Sequence, residues 1–166
     1  ICDNGIDQYT KPRVTNVFAE KGITVNFSDA ASTTESNVYL GINGAKGKGN
    51  EVATSLGLAL DVLSKENKFD RHILSLTDAG NGVAQLLVLG ENTDATFMGL
   101  ASLEQILDNG TSDLQTVTLN DYADLKERGI IEGFYGKPYS SEVRKDLLRF
   151  MMRNKMNCYV YGPKSD

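Results

Sequence analysis

The sequence predicts two structural parts, an α+β domain over residues 14–120 and a short β-α-β unit over residues 129–166. Three observations carry this. Short β-rich runs alternate with two segments of helical period before residue 120. The pattern turns polar from Asp121 to Glu127. From Arg128 a strand, an amphipathic helix and a second strand follow in direct succession. A chain of 166 residues has room for one small domain with its own core plus a piece of another.

Residues 1–13 read as a polar leader. "TNVFAEKGITVNF" gives two short β-rich runs around Lys21-Gly22, and "NVYLGI" is another strand candidate. After the glycine-rich "NGAKGKGNE", Val52, Leu56, Leu60 and Leu63 recur at helical spacing, which predicts a helix over about 51–66 with Asn50 as N-cap. "HILSLTDAGNGVAQLLVLG" holds two β-type runs separated by residues that tolerate positive φ, the pattern of a hairpin. In "TDATFMGLASLEQIL", Phe97, Leu100, Leu103 and Leu107 share a helix face, with Thr93 as cap and Asn109-Gly110 as stop. "LQTVTLND" supplies a last strand. The expected sum is a mixed or antiparallel sheet with both helices on one face, followed by a linker over 121–128.

Beyond the linker, "GIIEGFY" reads as a strand. Ser140 is the expected N-cap of a helix with Glu142 in its first turn and Val143, Leu147, Phe150 and Met151 on its apolar face. "MNCYVYG" is the second strand. A strand-helix-strand connection of this length favours parallel pairing with a right-handed crossover.

The formal net charge is −5 and the basic residues form no stripe, so charge predicts neither nucleic acid nor an anionic membrane surface as partner. No apolar run reaches the roughly 18 residues of a membrane span, and no secretory signal stands at the start, which is Ile1 and not Met. Cys2 and Cys158 are expected to be unpaired thiols, Cys158 as a small buried residue in a strand. The sequons at Asn26 and Asn109 matter only in a eukaryotic secretory setting.

Three features invite a chemical role. Gly44 and Gly49 have the spacing of the glycines in a phosphate-binding loop, but Asn50 and Glu51 replace its Lys and hydroxyl residue, so a triphosphate would be repelled and a flexible surface loop is expected. His72 is the only histidine, without the partners of a triad or zinc site, and reads as a surface residue at a hairpin edge. The third feature is the pair of strand ends in the last part. Gly133, Phe134, Tyr135 and Gly136 end the first strand, and Pro163, Lys164, Ser165 and Asp166 follow the second. A glycine lets a ligand approach the backbone, an aromatic ring offers a stacking face and a Lys donates to hydroxyl oxygens, all tools of sugar recognition.

"RGIIEGFYGKPYSSEVRKDLLRFMMRNKMNCYVYGPKSD" resembles the opening of the catalytic barrel of glycoside hydrolase family eighty-four, the O-GlcNAcase and hyaluronidase-like β-N-acetylglucosaminidases, through "EGFYG-x-P", "RFM" and "Y-x-Y-x-PK-x-D". "LLVLGENTDATFMGLASLEQIL" is similar to the hexosaminidase-type α/β domain that precedes that barrel. The resemblance implies that Gly133, Tyr135 and Lys164 line a sugar pocket, with Phe134 beside them, and that residues 129–166 begin a (β/α)₈ barrel of about 250 residues. Tyr139 stands where many members have Trp.

The family's chemistry is substrate-assisted hydrolysis with retention, performed by two adjacent Asp residues on a later strand that would lie beyond Asp166. One orients the 2-acetamido group that attacks the anomeric carbon, and the other is acid, then base. Glu132 is accordingly expected to be structural or to support pocket residues. The resemblance implies a GlcNAc-containing glycan or glycoprotein as partner, the remainder of the barrel as a structural partner, no metal, no cofactor, and a secreted or bacterial cell-surface setting. The isolated chain is expected to be inactive. A non-catalytic carbohydrate-contacting or interaction module of the same fold is the alternative.

Overall fold

The computed structural model of the chain describes residues 1–80, 82–109, 116–133 and 137–162. They divide into two compact units, Ile1–Asp124 and Leu125–Asp166. In the larger unit a four-stranded sheet is built from β1 (Asn37–Ile42), β2 (Phe69–Asp78), β3 (Ala84–Gly90) and β4 (Val117–Ala123), in the order β1-β3-β2-β4. β1 is parallel to β3, whereas β2 is antiparallel to both β3 and β4. The β2–β3 hairpin is the one its turn residues predict, with Gly80 at φ 90° and Gly82 at φ 77°.

Side chains alternate across a strand, and here both sets are apolar. Leu40, Leu74, Leu76, Leu86 and Val88 point to one face and join Val14, Val17, Phe18, Leu100 and Leu103 in a single cluster. Tyr39, Ile73, Leu87 and Leu89 point to the other and join Ala53, Val62 and Leu63. The first face is covered by α1 (Thr10–Ala19) and α3 (Thr93–Asn109), the second by α2 (Lys48–Ser55) and a 3₁₀ turn at Asp61–Ser64. The expectation of helices on one face is therefore corrected. A strand such as LLVL in β3, apolar at every second position on both sides, must be covered twice.

The first β-rich run and the leader are also corrected. Val14, Val17 and Phe18 follow a helical period and lie in α1, where Pro12 is tolerated because it sits in the first turn. Their β-branched and aromatic character suggests strand, but burial against α3 decides the outcome. Residues 23–28 form no ladder, and a cavity of about 850 Å³ lies beneath them, lined by Val14, Phe18, Val25, Leu76, Leu86 and Val117. Residues 1–3 run beside β1, where Leu40 N–H donates to the Ile1 carbonyl at 2.9 Å and Asp3 N–H to the Leu40 carbonyl at 2.8 Å. Arg13 pairs with Glu104 across α1 and α3, both side chains only 4% exposed.

α2 is shorter than the predicted 51–66 helix. Gly57 at φ 60° stops it, and the bonds from Gly57 N–H to the Thr54 carbonyl and from Leu58 N–H to the Ala53 carbonyl form a Schellman cap. Asn50 lies inside α2 and is not its cap, because its side chain reaches back to the Ile42 carbonyl at 2.7 Å and accepts from Gly44 N–H at 3.0 Å. In α3, Asn92 takes the capping role expected of Thr93, accepting from Ala95 N–H at 2.8 Å. β4 continues through Ala123, so Asp121 to Ala123, read as linker, are strand residues paired with β2.

The glycine-rich loop is a packed cradle around Asp3, where a flexible surface loop was expected. This carboxylate is buried and accepts from Gly49 N–H at 3.0 Å and Asn50 Nδ2 at 3.3 Å. A Cβ at Gly49 would lie 2.8 Å from both the Asp3 carboxylate and the Gly41 Cα. Ala is the better helix former by about 1 kcal/mol, but overpacking against backbone costs about 1–3 kcal/mol. Gly49→Ala is expected to lower stability by up to about 2 kcal/mol in urea denaturation. A gain in stability would show that the Asp3 and Gly41 contacts do not constrain this position.

Candidate functional site

In the smaller unit, β5 (Gly129–Glu132) and β6 (Cys158–Tyr161) pair in parallel, joined through α4 (Ser141–Arg153). The predicted N-cap is present: Ser140 Oγ accepts from Val143 N–H at 3.3 Å, and Glu142 lies in the first turn. The register sets Ile130 beside Tyr159 and Glu132 beside Tyr161.

Glu132 ends β5 with its carboxylate on the side of α4, only 3% exposed. Arg144 of α4 grips it with two bonds, Nε to Oε2 at 2.9 Å and Nη2 to Oε1 at 3.0 Å, a fork matched to a carboxylate. Tyr139 N–H donates to Oε1 at 3.0 Å, and the Tyr159 hydroxyl donates to Oε2. Arg144 also lies 4.6 Å from the centre of the Tyr161 ring and donates to its hydroxyl at 3.3 Å. One carboxylate thus joins β5, the segment before α4, α4 itself and β6.

These bonds all favour the ionised form. Arg144 first, then Tyr159 and the Tyr139 amide, lower the Glu132 pKa from 4.5 to about 2. The bond to the carboxylate in turn raises the Tyr159 phenol. An acid that gives up its proton near pH 2 is unprotonated at neutral pH and cannot serve as a general acid there. Glu132 ties β5 to α4 and β6, in keeping with the structural or pocket-supporting role that the resemblance implies.

Alternation along β5 puts Ile131 on the side opposite Glu132, 66% exposed, and Val160 of β6 is 43% exposed. Gly133 follows directly, exposed, and a Cβ built there meets nothing within 4 Å among the described residues. Of the residues expected to line a pocket, Gly133 is described, and Phe134, Tyr135 and Lys164 lie outside the described residues. The anchoring set of Arg144, Tyr159 and Tyr161 was missed by sequence reasoning. Its members are 12 to 29 residues from Glu132, and no local period connects them.

The other candidates are explained by the larger unit. His72 is buried, 1% exposed, and not at the surface. Its Nδ1 lies 2.7 Å from the Asp70 carbonyl, which can only accept, so this nitrogen carries a proton, and Nε2 lies 3.0 Å from Ser102 Oγ. The Asp121 carboxylate is 3.6 Å from Nε2. Gly99 brings α3 close at this point, where an added Cβ would lie 3.3 Å from the imidazole. Cys2 and Cys158 are free thiols. Among the described residues no group of three His, Cys, Asp or Glu could hold a metal ion, and no helix is long and apolar enough to cross a membrane.

The Glu132 network has a defined pH dependence. Because the folded pKa is depressed, its contribution is complete above about pH 4.5 and is lost as the pH falls toward 2. Glu132→Gln is expected to lose less stability than wild type between pH 4.5 and 2, read from denaturation midpoints. Parallel losses in the two proteins would show that another group governs the acid limb.

Comparison with known proteins agrees with this organisation. The family model described as beta-N-acetylglucosaminidase matches residues 128–166, the span of the β5-α4-β6 unit. Protein O-GlcNAcase from Rattus norvegicus and from Mus musculus are each 47% identical over 38 residues, which is 23% of this chain and 4% of theirs. The solved structure of CpGH84D superposes with a TM-score of 0.87 at 36% identity, covering 98% of this chain and 26% of that one. CpGH84B superposes with a TM-score of 0.67 at 26% identity, covering 99% of this chain and 26% of that one. The chain thus spans about a quarter of these solved structures and a small part of the O-GlcNAcases. By these matches the chain is similar over nearly its whole length to part of a solved GH84 structure, and over residues 128–166 to the beta-N-acetylglucosaminidase family model.

Proposed function

We propose that the protein carrying this chain is a retaining β-N-acetylglucosaminidase that acts on GlcNAc-containing glycans or glycoproteins, and that β5-α4-β6 opens its catalytic (β/α)₈ barrel. The observation that carries this is the coincidence of the family match at residues 128–166 with a parallel β-α-β unit whose strand end, at Gly133, is open. In such a barrel, substrate sites lie at the C-terminal ends of the strands. Exposed Ile131 and Val160, on the side of the strands away from Glu132, are the apolar surface that further strands would cover.

On this reading Gly133 admits the sugar to the backbone, Tyr135 provides a stacking face and Lys164 donates to a hydroxyl. Hydrolysis is substrate-assisted. The 2-acetamido carbonyl oxygen attacks the anomeric carbon as the leaving oxygen is protonated, and water then opens the intermediate with retention. The two adjacent Asp residues this requires would come from elsewhere in the protein, since the chain contains no Asp-Asp pair.

The 166-residue chain alone is expected to show no turnover of an aryl N-acetyl-β-glucosaminide, while the same chain within a complete family catalytic region turns it over. Absence of activity in the complete protein would favour a non-catalytic carbohydrate-contacting module. Turnover by the pure chain would refute the division of labour.

Gly133→Ala tests the open strand end. The new methyl has room among the described residues but enters the space assigned to the sugar. Overpacking of about 1–3 kcal/mol against the ligand corresponds to roughly a 5- to 150-fold rise in KM. The melting temperature should stay within about 2 °C of wild type. An unchanged KM would remove Gly133 from the pocket.

A further inference from the structure

We infer that Glu132 is a positioning residue for sugar binding, holding the open end of β5 and the end of β6 in the relative placement that the pocket requires. The inference rests on the β-N-acetylglucosaminidase reading and extends it to residues that face away from the open side. The carboxylate is bonded on both sides of the segment that follows β5. It belongs to the last residue of the strand, and it accepts from Tyr139 N–H seven residues later. Through the Tyr159 hydroxyl and through Arg144 to Tyr161, the same two oxygens fix β6 up to its last residue.

The arrangement differs from a surface ion pair in two respects. The carboxylate is buried, and four donor groups saturate both oxygens, so its geometry is over-determined. The strands it joins are four residues long each, and among the described residues their ladder is the main other contact between them. Short strands leave little else to hold the two ends in register. Placement errors near 1 Å at a sugar site can cost up to about a hundredfold in rate or affinity.

The test uses the protein with its complete catalytic region and the variants Glu132→Gln and Tyr159→Phe. Gln keeps an acceptor for the Tyr139 amide but loses the charge that orders Arg144. Phe removes one phenol donor and leaves the fold's packing nearly unchanged. A strand-end wall grips the sugar in ground and transition states alike, so its misplacement raises KM and leaves kcat nearly untouched. Loss of folded protein does the opposite, lowering apparent kcat at constant KM. The expected result with an aryl N-acetyl-β-glucosaminide is a KM about tenfold higher in Glu132→Gln and about threefold higher in Tyr159→Phe, with kcat within threefold of wild type. A KM within twofold of wild type in both variants overturns the inference, whatever happens to kcat.

Hydrogen exchange separates this from failure of the glycosidase reading. In Glu132→Gln the Tyr139 amide and the amides of β6 should exchange at least tenfold faster than in wild type, while β2 and β3 exchange at wild-type rates. If wild type hydrolyses no N-acetylglucosaminide, the glycosidase reading falls, and faster exchange at both strand ends still assigns Glu132 the positioning role. Unchanged exchange at both ends overturns that role independently of activity.

Discussion

The antiparallel pairing of β2 with β3 is the interaction on which the larger unit depends, because these central strands are apolar on both faces. Ile73 and Leu87 lie on one face, Leu74 and Val88 on the other, all at most 1% exposed. Burying a side chain of this kind is worth about 1.5–3 kcal/mol, so neither face can be left to water. Everything else in the unit follows from covering them. α3 must lie close enough to bury Leu100 and Leu103, which is why Gly99 stands over Val88 and His72. α2 must lie against Tyr39 and Leu89, and it does so through Ala53 and through Gly49 on Gly41.

Among the described residues the smaller unit shows no comparable core. Its strands are four residues long, and α4 buries Met151 while Leu148 and Phe150 stay exposed. What gives these elements a definite arrangement is polar, the carboxylate of Glu132 with its four donors. Buried polar networks are useful where apolar packing is thin, since direction as well as contact is specified. The cost is sensitivity: a missing partner leaves a desolvated charge, and that penalty exceeds the bond's own contribution.

Much of the fold was legible because its signals are local. The β2–β3 turn, the period of α3 and the Ser140 cap each lie within a few residues of the structure they specify. The errors share a cause. Val14, Val17 and Phe18 look β-prone until α3 is present to bury them. His72 looks like an edge residue until Ser102, thirty positions away, accepts a place beside it. The glycine loop looks free until Asp3 enters it from the other end of the sequence. At the candidate site Gly133 was singled out from its place at a strand end beside aromatic residues, whereas the Arg144, Tyr159 and Tyr161 set was invisible. Pairing across 12 or 27 residues leaves no period to read.

Asp3 and Glu132 show one physical device used twice. Each is a buried carboxylate that accepts a backbone N–H from a residue later in the sequence. At Asp3 the device fills the loop: the carboxylate accepts from Gly49 N–H and Asn50 Nδ2, so the loop's likeness to a phosphate cradle ends in structure. At Glu132 the two-residue period of the strand gives a different result. The carboxylate is turned toward α4 while Gly133, one residue on, follows the side of Ile131 and stays open. Anchoring and ligand approach can therefore share one strand end without competing for space. A slip of one residue in β5 would exchange them, setting a charge in the open face and a glycine against Arg144. The bidentate bond to Arg144 opposes that slip, because no neighbouring residue of β5 carries a carboxylate to replace Glu132.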